Sequence, residues 1–133
     1  MIIFVDASAF ISSLVSNQSH HVKAKQIASK LEEQGAILIT SSMIIGEVLT
    51  VLNMRDGKEL TLDFGERIRN NDLEIVHPSP DHFETAWNIF KREKNKNVSF
   101  VDCMSFALIK TFKIQTAFSF DKQFLHRGFE VLR

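Results

Sequence analysis

MIIFVDASAF, residues 1–10, sets four apolar residues directly before a carboxylate. The run Ile2–Val5 is short, rich in β-branched side chains and not alternating, which predicts a fully buried strand over residues 2–6. A buried strand that ends on Asp6, with only Ala7, Ser8 and Ala9 beside it, raises the question of what that carboxylate serves.

Working outward, short apolar runs alternate with longer amphipathic stretches. HHVKAKQIASKLEEQG (20–35) predicts a helix with Val22, Ile27 and Leu31 on its inner face and Gly35 closing it. AILIT (36–40) predicts a second buried strand. Ser41 or Ser42 then caps a helix running to about Asn53. GKELTLDFGERIRNN (57–71) predicts a helix with Leu60, Phe64 and Ile68 on one face, and LEIVH (73–77) a third strand. A helix follows from Asp81 to about Lys94, with Phe83, Trp87 and Phe90 on one stripe. The loop NKN (95–97) leads to an apolar helix over 99–113. TAFSF (116–120) and FEVLR (129–133) predict the fourth and fifth strands. Alternating strand and helix imply α/β architecture, a parallel sheet covered by helices on both faces. Ligands bind such sheets at the carboxyl ends of the strands, near a topological switch point, and Asp6 stands at such an end.

The chain has 133 residues, the length of one domain, expected to span 1–133. With 16 basic and 16 acidic side chains it has no global positive field for nucleic acid, although a local groove remains possible. Cys103 is the only cysteine, which excludes an internal disulfide and a cysteine-based zinc site. No apolar run reaches membrane-spanning length, and the N-terminus lacks a signal-peptide pattern, so a soluble cytoplasmic protein is expected.

Three further acids join Asp6. Asp121 follows TAFSF as Asp6 follows IIFV. Glu47 lies in SSMIIGEVLTVLN, a helix apolar nearly all round, where a solvent-facing Glu is not expected; Gly46 beside it suggests close approach of another group. Asp102 heads the helix of SFVDCMSFALIK and forms a capping box with Ser99. Taken singly, Asp6, Asp102 and Asp121 are explained as helix caps, and Glu47 as a residue at the rim of the core. Together, the four converge on one sheet edge, where they would repel unless protonated or bridged by cations. Oxygen-only ligands select Mg²⁺ or Mn²⁺, ions of phosphoryl chemistry. His20 and His21 point apart on a helix and read as surface residues. His77 and His82 read as loop residues. No phosphate-cradling glycine loop and no nucleophile elbow is present.

The ordered set of Asp6-x-Ser8 after an apolar strand, Ser41 with Glu47 on the next helix, SFVDCMSFALIK and TAFSFDKQF resembles the PIN-domain nucleases, and among them the VapC-type toxins. The resemblance spans the whole chain. It implies a three-layer α/β/α sandwich around a parallel sheet of four to five strands. It implies that Asp6, Glu47, Asp102 and Asp121 bind one or two Mg²⁺ or Mn²⁺ ions and catalyse RNA hydrolysis, leaving a 5′-phosphate and a 3′-hydroxyl. Ser8 and Ser119 match hydroxyl residues that orient the acids or phosphate, and Phe124 matches an aromatic of the core. Met104, Phe106 and Leu108 are bulkier than the small residues many members carry there. RNA guidance falls to basic residues of KREKNKN (91–97), Lys94 among them, and to Lys122. A homodimer and an antitoxin partner are implied as well. The competing readings are a PIN-like RNA-processing nuclease outside a toxin pair, a module that binds RNA or a partner without cutting, and a receiver-like phosphotransfer domain. The last is disfavoured because MIIFV offers no acid pair before Asp6.

Overall fold

The computed structural model describes residues 1–133. The elements run β1 (Ile2–Val5), α1 (Ala7–Leu14), α2 (His21–Glu33), β2 (Ile37–Ser41), α3 (Ser42–Arg55), α4 (Lys58–Arg69), β3 (Glu74–Val76), α5 (Pro80–Arg92), α6 (Phe100–Thr111), β4 (Thr116–Phe118), a 3₁₀ turn (Lys122–Phe124) and β5 (Glu130–Leu132). The five strands form one parallel sheet in the order β3-β2-β1-β4-β5. The order reverses direction beside β1, so the switch point lies between β1 and β4, where Asp6 and Asp121 emerge.

Alternate residues of β1 serve opposite faces of the sheet. Phe4 joins the larger core with Ile44, Val48 and Leu52 of α3, Phe64 of α4 and Met104 and Leu108 of α6. Ile3 and Val5 join a smaller core with Ala24 and Leu31 of α2 and Phe118 of β4. These two cores make the three-layer sandwich. Phe124 is fully enclosed in the larger one and packs edge-on against Phe106.

Helix ends follow local chemistry. Ser41 caps α3 by accepting the Ile44 N–H at 3.2 Å. Ser79 and His82 form a reciprocal capping box on α5, with Pro80 at its first position. Gly35, at φ 65°, turns the chain out of α2, a conformation glycine adopts without Cβ strain. No helix is long and apolar enough to cross a membrane.

Four sequence expectations change. Residues after Asp6 do not merely leave room; they form α1 with no intervening loop. Val22 is 68% exposed, and Ala24 and Leu31 carry the inner face of α2 instead. Phe83, Trp87 and Phe90 do share a stripe on α5, but all three are exposed, at 50%, 44% and 39%. β4 ends at Phe118; the Ser119 N–H still donates to the Leu132 carbonyl of β5 at 3.1 Å, and from Phe120 the chain turns away toward the site.

The contrast between the faces is testable by chemical denaturation. Phe4→Ala, which opens a cavity at the centre of the sheet, is expected to cost about 3–5 kcal/mol. Val22→Ala is expected to change stability by less than about 0.5 kcal/mol.

Candidate active site

Asp6 is buried at the end of β1, where its backbone N–H donates to the Phe118 carbonyl of β4 at 3.0 Å. It is the N-cap of α1. Its Oδ2 accepts the Ser8 N–H at 3.4 Å, the Ser8 hydroxyl at 2.8 Å and the Ser119 hydroxyl at 2.8 Å. Each hydroxyl in turn accepts a backbone N–H from the segment after β4. Ser8 Oγ takes that of Phe120 at 2.9 Å, and Ser119 Oγ takes that of Asp121 at 3.0 Å. A hydroxyl has one proton. With both protons spent on Asp6, the 3.2 Å contact between the two serine oxygens is proximity, not a third bond. Oδ1 of Asp6 is not among the enclosed polar atoms that lack a partner.

Asp102 is fixed from its own helix end. Its carboxylate accepts the Ser99 N–H at 2.9 Å, and the Ser99 hydroxyl accepts the Asp102 N–H at 3.0 Å. Asp121 caps the 3₁₀ turn, accepting the Gln123 N–H at 2.9 Å. Glu47 lies in the second turn of α3 and is exposed, against the sequence expectation of a buried group. Only Ile44, Val48 and Leu52 of that helix are buried; Met43, Ile45 and Leu49 are half-covered, and Glu47 emerges beyond them. Gly46 faces open space, so the expected close approach is not found.

Asp6 and Asp121 follow the ends of β1 and β4, Asp102 lies in the first turn of α6, and Glu47 lies in the second turn of the helix that follows β2, so all four stand at the carboxyl edge of the sheet. Burial raises the Asp6 carboxyl, the Ser8 and Ser119 hydroxyls lower it, and the charge of Asp121 raises it further, leaving it above the ordinary range. Glu47 is raised first by desolvation and then by the charges of Asp6, Asp102 and Asp121. Asp102 is raised to about 6, by burial first, against the Ser99 N–H, with Asp121 and Asp6 adding repulsion. Every pairing of the four acids contributes, and neither ion pair of the molecule involves any of them. The four thus share one edge of the sheet. No three are gathered tightly enough to enclose an ion by themselves.

A model of the PIN domain matches residues 3–130. The chain is 32% identical over 132 residues to the 23S rRNA-specific endonuclease VapC20 of Mycobacterium tuberculosis, covering 98% of both proteins. The chain belongs to the PIN-domain family. The crystal structure of VapC20 from the same organism, a sarcin-ricin loop cleaving toxin, superposes with a TM-score of 0.87 at 31% identity, over 97% of this chain and 96% of that one. FitAcB from Neisseria gonorrhoeae shares the fold, with a TM-score of 0.69 at 16% identity over 100% of this chain and 97% of that one. PIN domains are divalent-metal nucleases, and the all-oxygen, net-negative edge of this one has the donor chemistry of hard cations.

The basic candidates lie on adjoining segments. Lys94 and Lys122 are both exposed. The Asn95 side chain donates to Gln123 Oε1 at 3.3 Å, and Glu93 pairs with Arg127 at 2.8 Å, tying the 93–97 loop to the segment after Asp121. Arg127 is held over the Phe106 ring at 4.2 Å, which marks it as a structural clamp. What the sequence does not display is the role of the backbone: the N–H groups of Phe120 and Asp121 act through serine hydroxyls, and only the fold brings residue 119 to residue 6.

The raised carboxyls have a sign-definite consequence. In metal-free protein the folded state binds protons more tightly than the unfolded chain between about pH 4 and about pH 6, so stability falls as pH rises through that window. The pairing of Glu93 with Arg127 acts in the opposite sense. Asp102→Asn keeps an acceptor for Ser99 and removes the charge. In chelator-treated protein it is expected to raise the melting temperature near neutral pH and to flatten its fall with pH; an unchanged or steeper fall would refute the assignment of repulsion to this edge.

Proposed function

We propose that this PIN domain is an endoribonuclease that hydrolyses RNA phosphodiester bonds with Mg²⁺ or Mn²⁺ held at Asp6, Glu47, Asp102 and Asp121. The observation that carries the reading is the convergence of four mutually repelling acids, none with a cationic partner, on one sheet edge. A hard divalent ion held there would supply charge neutralisation at the scissile phosphate and a more acidic bound water. The chain's residues do the rest. Ser8 and Ser119 aim Asp6, and Ser99 holds Asp102 in a fixed rotamer. Asp121 is held by the turn it caps. Glu47, without a hydrogen-bonding partner of its own, would be the fourth carboxylate offered to the ion. Lys94 and Lys122 attract the flanking phosphates.

The single domain 1–133 acts, in this reading, as the toxin of a type II toxin–antitoxin pair in the cytoplasm. Its support is whole-length similarity to VapC20. VapC20 cleaves 23S rRNA, so ribosomes are the first substrate to assay. A homodimer is proposed on the α5 stripe. Phe83 and Phe90 pack on Phe100 at 5.1 Å and 5.6 Å, and Trp87 lies beside Phe90. Exposed aromatics in such a row mark protein interfaces. Trp87→Glu is expected to yield monomers in sedimentation at concentrations where the wild type is dimeric.

Cleavage tests the central claim. Purified protein with Mn²⁺ is expected to cut ribosomal RNA at discrete positions, and Asp6→Asn and Asp102→Asn to lose that activity. Ser119→Ala is expected to retain the fold and lose about 10–100-fold in rate. Wild-type protein that cuts neither ribosomal nor other RNA would leave only a binding module. Cleavage without an antitoxin frame beside the gene would favour RNA processing.

A further inference from the structure

The imidazole of His20 lies flat on the ring of Phe120, with centroids 4.6 Å apart and planes within 6°. Phe120 sits between Ser119 and Asp121, and its N–H donates to the Ser8 hydroxyl that holds Asp6. The stack is therefore joined by two hydrogen bonds to the first acid of the site. Phe120 is braced from beneath by Phe118, edge-on at 5.9 Å.

His20 is placed there with some care. It is the N-cap of α2, yet its side chain makes no capping bond, although Ser19 next to it would be a better cap. Its backbone is fixed on both sides. The His20 carbonyl accepts the Ala24 N–H at 2.8 Å, and the His21 ring bonds the Ser12 carbonyl at 2.8 Å. One face of the His20 ring rests on Phe120, and the residue is exposed, as is Ser19 beside it. A planar ring, immobilised from behind, open in front and adjacent to carboxylates of the site, is the form of a base-stacking platform. Sequence-specific RNA recognition places splayed bases on such rings, His included. Stacking also answers a difficulty of this chain: with net charge zero it cannot hold RNA by bulk attraction.

We propose that His20, backed by Phe120, is a substrate-binding residue on which an unpaired base of the RNA, close to the scissile phosphate, stacks. This rests on the endoribonuclease reading above. The order of the stack is base, His20, Phe120, with Phe118 closing it. A purely structural role, in which the pair only staples the start of α2 to the sheet, is met equally well by an aliphatic side chain. A platform is not.

The test uses a single-stranded RNA of about ten nucleotides carrying 2-aminopurine. Binding to chelator-treated full-length protein is followed by quenching of the fluorescent base, and cleavage with Mn²⁺ is followed separately. His20→Ala and His20→Leu are expected to weaken binding about tenfold, the loss typical of one stacked base, and to abolish the quench. KM should rise by a similar factor with kcat little changed, and His20→Trp should restore affinity and quench. Equal binding and quench for wild type, His20→Ala and His20→Leu overturns the platform while leaving cleavage by the wild type intact. His20-dependent binding by a wild type that cuts no RNA upholds the platform and overturns the nuclease reading. Wild-type protein that neither binds RNA nor cuts it with Mn²⁺ overturns both. Melting temperatures of the variants separate a lost platform from a loosened helix: a fall in affinity that tracks a fall in melting temperature, with His20→Leu behaving as wild type, assigns the stack a structural role only.

Discussion

Oδ2 of Asp6 joins the two halves of the sheet. Two serine hydroxyls converge on it, one from the first turn after β1 and one from the residue after β4, each at 2.8 Å. Because each serine also accepts a backbone N–H from the post-β4 segment, this one oxygen sets the path of the chain from Phe118 to Asp121. The strands on either side of the switch point are thus tied at their carboxyl ends by side chains as well as by their ladder. If that joint moves, Asp121, Phe120 and the 3₁₀ turn move with it. Serine suits both positions because a hydroxyl gives one proton and still accepts. An alanine would strand a backbone N–H, and an amide is too large for a site where Ser119 is completely buried.

The same geometry works against stability. With four acids at one edge, two of them buried, Asp6, Glu47 and Asp102 bind protons more tightly than usual, without any compensating lysine or arginine. A fold optimised for stability alone would neutralise that edge with a cation of its own or replace an acid with an amide. Its persistence in the sequence is intelligible if the compensating charge arrives from outside. Hydrogen bonding softens the cost unequally: Asp6 receives three donors and Asp102 one backbone donor, whereas Glu47 receives none.

Much of this is legible in the sequence, because parallel strands buried on both faces read as short unbroken apolar runs and because caps are local. Ser41, Ser99 and Gly35 can be placed from their neighbours alone, since each bonds or turns within a few residues. Periodicity shows which residues share a helix face, not whether anything covers that face. Val22 and the α5 aromatics therefore read as core and prove exposed. α1 escapes notice because eight residues beginning Ala-Ser-Ala, joined to a strand without a loop, show neither a break nor a strong period. Glu47 misleads for a related reason. A helix apolar on nearly every side suggests burial, but Met43, Ile45 and Leu49 lie at the core's rim and leave a way out for the carboxylate. The serine joint spans over a hundred residues of chain, and no local rule reaches that far.

If these acids hold a divalent ion as proposed, the two classes among them, three fixed and one free, suit an ion that demands near-octahedral geometry. Rigid carboxylates alone would have to be placed to within tenths of an ångström, and any mismatch would be stored as strain or lost affinity. A frame that fixes Asp6, Asp102 and Asp121 through backbone-anchored bonds and leaves a longer glutamate to adjust relaxes that demand.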